Sequence, residues 1–377
     1  MEENPFLIKG YKSPAYFCDR AVETDMLLSN ISNGADTTLI SPRKYGKSGL
    51  IHHVFYQIEA QHLPFKTLFL DIYATLSLSD FIKALADAIL QSFPEKSSIG
   101  SKFMQFVRGF RPILTYDSLT GVPQVEFNYN TESEQSYTLH SLLEFLDSQS
   151  QVIVVAIDEF QQISEYPEQN IEALLRSYIQ QMHNVRFIFC GSKRKLMSEM
   201  FLSANRPFFS STRTMSIGKI DSVVYAAFIK SMFAQGNILI TDDALNYVLE
   251  WTYGHTFYTQ ALCNELYAMH KSEINVSIVK AAAHEILQRE SAYFLQYREL
   301  LTSLQWRMLV AIAKEGSVVQ ITANQFVQKY KLGGSTNARR TIDALVNKEL
   351  VLAEVGLEYT EYRVYNVFFS RWLDIQY

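Results

Sequence analysis

A short apolar segment that runs directly into a Gly-Lys-Ser tripeptide constrains the fold of this chain more than any other feature. Thr37–Ile40 is apolar and rich in β-branched residues, which predicts a buried strand. Apolar residues at helical spacing follow the tripeptide from Leu50 to Ile58, which predicts a helix. The connecting turn reads Ser41-Pro42-Arg43-Lys44-Tyr45-Gly46-Lys47-Ser48. A strand, a glycine-containing turn ending in Gly-Lys-Ser, and a helix together indicate a phosphate-binding P-loop.

Each residue type in this turn suits contact with phosphate. Gly46 lets the backbone wrap closely around oxygen atoms, and the N–H groups at the helix start form an anion-binding nest. Lys47 supplies a mobile cation for the β- and γ-phosphates, and the Ser48 hydroxyl is a hard ligand for Mg²⁺. The predicted nucleotide-binding residues of the loop are Pro42, Arg43, Lys44, Tyr45, Gly46, Lys47, Ser48 and Gly49.

Ser41 stands where the P-loop pattern has its first glycine. If that position requires a positive φ, serine would be strained there by ~1–3 kcal/mol. At a negative φ, serine would cost nothing. The structural alternative for the whole segment is an ordinary strand-to-helix turn.

Two further apolar strands end in polar residues. Val152–Ile157 leads into Asp158 and Glu159. Asp158 at a strand end can bind Mg²⁺ through its water shell, and Glu159 can polarise an attacking water; the alternative is a strand end with solvated acids. The strand Val185–Cys190 leads through a glycine to Ser192, which can face the γ-phosphate or cap the next helix.

Apolar strands that alternate with helices predict an α/β fold, a parallel sheet sandwiched by helices. The aromatic-rich segment Phe103–Thr131 is expected to be an irregular excursion that can include a hairpin. After Gly218 only helices are predicted, up to residue 292. Three helices and a β pair then follow, the layout of a winged helix. We therefore expect a P-loop ATPase core at 1–218, a helical lid at 219–292 and a winged-helix domain at 293–377.

Composition excludes several classes of protein. The 377-residue chain has a net charge of −5, so no global basic field draws it to nucleic acid or anionic lipid. Its three cysteines are widely spaced, which argues against a disulfide framework or a zinc site. Neither a signal peptide nor an 18-residue apolar stretch is visible, so a cytoplasmic protein without membrane contact is expected.

With these motifs in view, the chain resembles AAA-like P-loop ATPases of the archaeal-type, STAND-related family. The resemblance covers most of the chain. It rests on a lead-in before the first strand, the P-loop, two strand ends and a segment of the lid: Tyr16-Phe17-Cys18-Asp19-Arg20-Ala21-Val22-Glu23, Pro42–Ser48, Ile157-Asp158-Glu159-Phe160-Gln161, Phe189-Cys190-Gly191-Ser192 and Tyr253-Gly254-His255-Thr256-Phe257-Tyr258.

The resemblance implies roles for further residues. Ser192 would be a sensor, His255 a nucleotide-sensing residue of the lid, and the Arg20 region would pack near the adenine. For His255, a surface histidine at a helix start is the alternative. Arg206 and Arg213 lie where the resemblance places an arginine finger; a solvated loop arginine is the alternative for each. Thr256 and Ser41 depart from the family pattern, which has proline and glycine there. The expected catalytic residues are Lys47, Glu159, Ser192 and Arg213, and the expected metal ligands are Ser48 and Asp158.

These residues predict a Mg²⁺-dependent ATPase that acts as a conformational switch. GTP is disfavoured because Asn347-Lys348, the one Asn-Lys pair, continues as Glu349-Leu350 and lies outside the core. One alternative is a nucleotide-controlled DNA-binding regulator that uses helix Thr336–Lys348. Another is an ATP-binding scaffold without significant turnover, and the sequence is compatible with an oligomer.

The charge of the winged-helix region favours a protein contact or an autoinhibitory contact over DNA. From Lys329 to Tyr377, seven Lys and Arg face six Asp and Glu, a net charge of +1. That is a weak electrostatic footprint for a nucleic-acid-binding surface. Residues that could meet DNA are Asn337, Arg339 and Arg340, whereas Glu354, Glu358 and Glu361 on the expected wing would repel it.

Overall fold

The computed structural model describes residues 3–94, 96–110, 112–116, 123–129, 131–356 and 358–377. Two compact units make up this chain. One unit is Lys9–Ile220, and the other combines residues 3–8 with Asp221–Tyr377. Across the described helices, none combines the length and apolarity that a membrane span requires.

The first unit alternates helices and strands along the chain. In order they are α1 (Ala21–Ser32), β1 (Thr37–Ile40), α2 (Lys47–Ala60), β2 (Phe65–Asp71), α3 (Leu78–Ser92), α4 (Ser98–Arg108), β3 (Ile113–Tyr116), β4 (Pro123–Glu126), α5 (Glu132–Asp147), β5 (Val152–Asp158), α6 (Ile171–Ile179), β6 (Val185–Gly191), α7 (Arg194–Leu202) and β7 (Arg213–Ser216).

Five of these strands form one parallel sheet in the order β2-β5-β6-β1-β7. Helices cover both faces, as β5 shows: Ile153, Val155 and Ile157 belong to one hydrophobic cluster. Val154 and Ala156, which point the other way, belong to the second cluster. The predicted α/β fold is therefore confirmed.

The segment between α3 and α5 is more regular than the sequence predicts. The hairpin is present, since β3 and β4 pair antiparallel, but α4 replaces the first part of the expected irregular excursion. Phe103, Phe106 and Val107 have helical spacing, which the nearby breakers obscure in the sequence. The hairpin is held to α3 by the backbone N–H of Val125, which donates to Asp87 Oδ1 at 2.7 Å. Residues 95, 111, 117–122 and 130 of this segment lie outside the described residues.

The second unit is mainly helical. Its elements are α8 (Ser222–Gln235), β8 (Leu239–Ile240), α9 (Asp242–Trp251), α10 (Thr256–Ala268), β9 (Glu273–Ile274), α11 (Val276–Leu300), α12 (Ser303–Glu315), α13 (Asn324–Lys329), α14 (Ser335–Asn347), β10 (Val351–Val355), β11 (Thr360–Val364) and α15 (Val367–Gln376).

Two features of this unit differ from the sequence-based expectation. The region 219–292 contains strands after all, because β8 and β9 pair in parallel; two residues each are too few to give an alternating pattern. The terminal helix α15 was not predicted. It begins where Asn366 accepts a hydrogen bond from the backbone N–H of Phe369, an N-cap that is easily read as the end of the preceding strand.

The N-terminal segment packs on α8 and α10. Phe6 is 1 % exposed, and its ring centroid lies 4.7 Å from that of Phe233 and 6.2 Å from that of Tyr267. Asn4 donates to the carbonyl of Asn264 at 2.9 Å, and Asn264 donates to the carbonyl of Phe6 at 2.7 Å. These contacts explain why residues 3–8 group with the second unit.

The helical part and the C-terminal part of the second unit share one core. Helix α11 runs without interruption across residues 292 and 293. The ring of Phe368 on α15 lies 5.7 Å from Trp251 and 4.8 Å from Tyr258. Arg371 also donates to the carbonyls of Glu250 and Trp251, which satisfies the C-terminus of α9.

Candidate functional site

The carboxyl ends of four neighbouring strands meet at one edge of the sheet. Ile40 pairs in register with Gly191, so Ser41 and Ser192 follow adjacent strand ends. Asp71 pairs with Asp158 in the same way. In open α/β sheets, ligands bind at this edge.

Gly46 supplies a backbone conformation that other residues adopt at a cost. Its φ is 96°, and nothing lies within 4 Å of the position that a Cβ would take. Backbone freedom, not lack of space, therefore requires glycine here. The residue immediately precedes α2, so the loop ends at the N–H groups of a helix start, which favour an anion.

Ser41 is compatible with the loop without strain. Among the described residues it is not one of those with positive φ. The side chain is 1 % exposed, and its Oγ donates to the Pro42 carbonyl at 3.2 Å. The strain that a serine would suffer in the left-handed region does not arise.

Lys47 is buried at the start of α2. Its side chain is 5 % exposed, and Nζ donates to the carbonyls of Ser41 at 3.2 Å and Pro42 at 3.4 Å. Burying an ammonium group is costly unless an anion or hydrogen bonds compensate it. Neutral carbonyls compensate only in part, so the site fits a phosphate group.

Ser48 and Asp158, the predicted metal ligands, are in contact. Ser48 Oγ donates to Asp158 Oδ2 at 2.5 Å. A hydroxyl and a carboxylate are the hard oxygen donors that Mg²⁺ prefers, with the remaining ligands supplied by phosphate and water. The described residues contain no group of three or more His, Cys, Asp or Glu arranged to hold a metal.

Glu159 accepts two side-chain hydrogen bonds at the end of β5. Its φ of 55° lies in the left-handed region, which is sparsely populated for residues other than glycine. Glu159 Oε2 accepts hydrogen bonds from Gln161 Nε2 at 2.5 Å and from Ser192 Oγ at 2.7 Å. Burial raises the pKa of Glu159, but these hydrogen bonds and the charge of Lys47 outweigh it, so the pKa lies below its ordinary value.

Ser192 links the P-loop to Glu159. Arg43 Nε donates to Ser192 Oγ at 3.1 Å, and Ser192 in turn donates to Glu159. The alternative helix-cap role is not the observed one, because α7 begins at Arg194 with Lys193 in the cap position. A continuous chain of hydrogen bonds therefore joins Arg43, Ser192, Glu159 and Gln161.

Three residues at this edge have no role in the sequence-based prediction. Gln161 is 2 % exposed and lies beside Glu159. In the sequence, the feature that could have indicated it is a polar residue shortly after a strand that ends in acids. Cys190 Sγ lies 3.2 Å from Asp158 Oδ1, and burial and then Asp158 raise the pKa of its thiol well above the ordinary value. For Asp71, partial burial raises the pKa, with Asp158 and Glu159 adding to the effect. An acid that ends an apolar strand was the available signal for Asp71.

Arg213 does not lie at the carboxyl ends of the strands. The prediction that it is a catalytic residue in the site of its own chain is therefore corrected. It begins β7 and pairs in register with Thr37, so it lies at the amino end of the sheet. Its Nη1 donates to Asn30 Oδ1 at 2.8 Å. The other candidate finger, Arg206, forms an ion pair with Glu172 on α6.

The remaining predicted residues have structural contacts of their own. Arg20, with φ of 71°, donates to the Gly218 carbonyl at 2.7 Å and to Glu23 at 2.8 Å, which ties the start of α1 to the segment after β7. His255 belongs to the second unit. It is 5 % exposed at the start of α10, with its ring centroid 4.6 Å from that of Tyr258.

Comparisons with known proteins agree with this architecture. Residues 292–375 match the family described as "Probable winged helix domain". The Walker-type ATPase PABY2304 of Pyrococcus abyssi is similar over 98 % of this chain and 99 % of its own, at 18 % identity and a TM-score of 0.67. The chain has the fold of a P-loop ATPase that ends in a winged helix. No curated protein sequence matches it.

Two other solved structures show the same P-loop ATPase and winged-helix fold. The Aeropyrum pernix ORC2 protein, in ADPNP-ADP complexes, covers 99 % of this chain and 97 % of its own at 14 % identity and a TM-score of 0.58. The Aeropyrum pernix ORC1 protein, in complex with DNA, covers 100 % and 98 % at 13 % identity and a TM-score of 0.54. Identities this low establish the fold, and the resemblance inferred from the motifs is confirmed at that level.

Replacing Gly191 with alanine should destabilise the core unit and displace Gln161. An added Cβ would lie 2.1 Å from Gln161 Oε1 and 2.6 Å from Met197 Sδ. We expect the free energy of unfolding to fall by about 1–3 kcal/mol, the usual effect of overpacking, as measured by urea denaturation. Gly218→Ala is the matched control, because nothing lies within 4 Å of its added Cβ. Equal stability of the two variants would contradict the close packing described for Gln161.

Proposed function

We propose that this protein binds ATP with Mg²⁺ and hydrolyses it to drive a conformational change. The observation that carries the proposal is the buried Lys47 at a helix start, together with the Ser48–Asp158 contact and a Glu159 that accepts hydrogen bonds from Gln161 and Ser192. The P-loop ATPase fold of the similar structures supports it. ATP is favoured over GTP because the sequence lacks a guanine-reading Asn-Lys-x-Asp element in the core.

The loop residues would hold the triphosphate. Backbone N–H groups from Pro42 to Gly49, excluding proline itself, would surround the phosphates, and Lys47 would pair with the β- and γ-phosphate oxygens. Ser48 and Asp158 would hold Mg²⁺, whose chemistry there is to neutralise negative charge on the phosphate oxygens. The Arg20 region would lie near the adenine, and His255 would sense the nucleotide from the lid.

Glu159 would position and polarise the attacking water. The water oxygen forms a bond to the γ-phosphorus while the bond from that phosphorus to the bridging oxygen breaks. ADP leaves with the electron pair, and the water proton passes through Glu159 to solvent and product. Because its pKa lies below the ordinary value, Glu159 is ready to accept a hydrogen bond at neutral pH.

The conformational switch would involve the three proposed domains, 1–218, 219–292 and 293–377. Hydrolysis would change how the core holds its nucleotide and thereby the state of the lid and winged helix.

A reducing cytoplasm suits Cys18, Cys190 and Cys263, which are all buried free thiols.

The winged helix is proposed to contact protein or another part of the chain. Several of its charges are paired internally: Arg363 lies 2.6 Å from Glu361 and 4.0 Å from Glu354, and Arg339 lies 3.4 Å from Asp343. Internal pairing weakens the attraction of arginines for phosphate.

Lys47→Ala should abolish tight ATP binding. A hydrogen bond to a charged group contributes about 1.5–3 kcal/mol, so titration of labelled ATP with magnesium should show roughly 10- to 150-fold weaker binding. Lys66→Ala, an exposed lysine at the other end of β2, should bind as the wild type does. Wild-type protein that binds no ATP would remove the proposal and leave a scaffold without nucleotide.

Glu159→Gln should bind ATP but hydrolyse it poorly. We expect affinity within about threefold of wild type and turnover reduced at least ~100-fold, the usual contribution of a general base, in a phosphate-release assay. Glu165→Gln changes an exposed acid a few residues away and serves as the control. Normal turnover by Glu159→Gln would exclude the role given to Glu159, and a wild type that binds without turnover would favour the scaffold alternative.

The 377-residue chain should not bind DNA through the winged helix. In a mobility-shift titration at about 50 mM salt, where phosphate contacts are strong, we expect no shift that depends on Arg339 or Arg340. A shift that weakens with salt and disappears in Arg339→Ala/Arg340→Ala would instead support the DNA-binding regulator.

A further inference from the structure

Arg43 connects the P-loop to the end of the neighbouring strand. Strands β1 and β6 lie side by side, with Ile40 opposite Gly191. Arg43, three residues after Ile40, therefore reaches Ser192, and its Nε donates to the Ser192 hydroxyl at 3.1 Å. Lys44, the next residue, is exposed in a left-handed conformation. Arg43 and Lys44 therefore differ in position: Arg43 contacts Ser192, whereas Lys44 is exposed to solvent.

The contact places a guanidinium next to the groups assigned to the attacking water. Ser192 Oγ donates to Glu159 Oε2 at 2.7 Å, so two successive hydrogen bonds through Ser192 connect Arg43 to the Glu159 carboxylate. Burial raises the pKa of Glu159, and the hydrogen bonds from Gln161 and Ser192 and then the charge of Lys47, on the same loop as Arg43, lower it. A γ-phosphate held by Lys47 and a water held by Glu159 would both border the guanidinium of Arg43.

We propose that Arg43 contacts the γ-phosphate and supplies, within the same chain, the positive charge that stabilises the transition state of hydrolysis. This inference rests on the proposed ATPase function. A guanidinium remains charged and matches phosphate oxygens with its planar fork, which suits it to charge that spreads over the equatorial oxygens. The two other arginines considered for this role lie elsewhere. Arg213 is at the amino end of the parallel strands, and Arg206 pairs with Glu172.

Arg43 would thereby distinguish ATP from ADP. In the observed arrangement its Nε is bound to Ser192. ATP would bring a γ-phosphate oxygen to Arg43, whereas ADP offers none at this place. Ser192 keeps its hydrogen bond to Glu159 in either case. The same residue would thus favour the triphosphate and assist its cleavage.

The binding experiment compares Arg43→Ala, Arg43→Lys and wild type, each titrated with ADP and with a non-hydrolysable ATP analogue in magnesium. We expect Arg43→Ala to weaken analogue binding roughly 10- to 150-fold, the effect of one charge-assisted hydrogen bond, and ADP binding by less than about threefold. Lys195→Ala removes an exposed cation from α7 and should leave both affinities unchanged. Equal losses for ADP and analogue would mean that Arg43 only supports the loop, and would overturn the inference.

The turnover experiment tests the charge itself. Arginines that stabilise phosphoryl transfer contribute about 10³–10⁵ in rate, so Arg43→Ala should lower kcat roughly 10³-fold. Arg43→Lys should recover part of the loss, and guanidinium ion added to Arg43→Ala should raise its rate. Unchanged kcat in Arg43→Ala would overturn the inference, as would the absence of any guanidinium effect.

Mixing variants tests whether Arg43 acts within one chain. Arg43→Ala mixed with Lys47→Ala should remain inactive, because neither chain holds a complete site. Recovered activity would show that Arg43 serves a second copy and would overturn the assignment. Failure of the proposed function looks different: wild-type protein would then neither bind nor hydrolyse ATP, whatever residue stands at position 43.

Discussion

The parallel pairing of β1 with β6, and of β6 with β5, is the constraint on which the site depends. It brings three strand ends to one edge, so that the P-loop, Ser192 and the Asp158–Glu159 pair meet although more than a hundred residues separate Ser41 from Asp158. The strands can hold this register because apolar residues on both faces bury β5 and β6 between two helical layers. The polar residues of the site therefore directly follow strands that are buried on both faces.

Burial makes the polar groups of this edge depend on one another. Lys47 donates to loop carbonyls and Ser48 donates to Asp158, while Glu159 accepts from Gln161 and Ser192. The left-handed backbone of Glu159 is a local cost that these contacts offset. Arg43 joins the same network from the loop, which is why its proposed role concerns the phosphate and the water together.

The second unit combines parts that the sequence suggests are separate. Helix α11 continues from the helical region into the winged-helix region, and Phe368 packs between Trp251 and Tyr258. Tyr253 has a left-handed φ, and the guanidiniums of Arg371 and Arg363 lie 4.3 Å and 5.3 Å from its ring centroid. A shared core of this kind gives the winged helix a firm connection to the segment that carries His255.

The sequence by itself determined β1, β5 and β6, the α/β class and the P-loop pattern, because apolar runs, helical periodicity and Gly46-Lys47-Ser48 are local features. Two-residue strands such as β8, and α4 beside chain breakers, were too short or too obscured for such patterns. Local spacing could not decide which groups meet across strands. Arg43 reaches Ser192 only because β1 and β6 pair in register, and Arg213 lies away from the site because β7 begins at the amino end of the parallel strands. Tertiary structure also decided that Ser41 is unstrained, since φ at that position depends on how the loop leaves β1 and not on the identity of its residue.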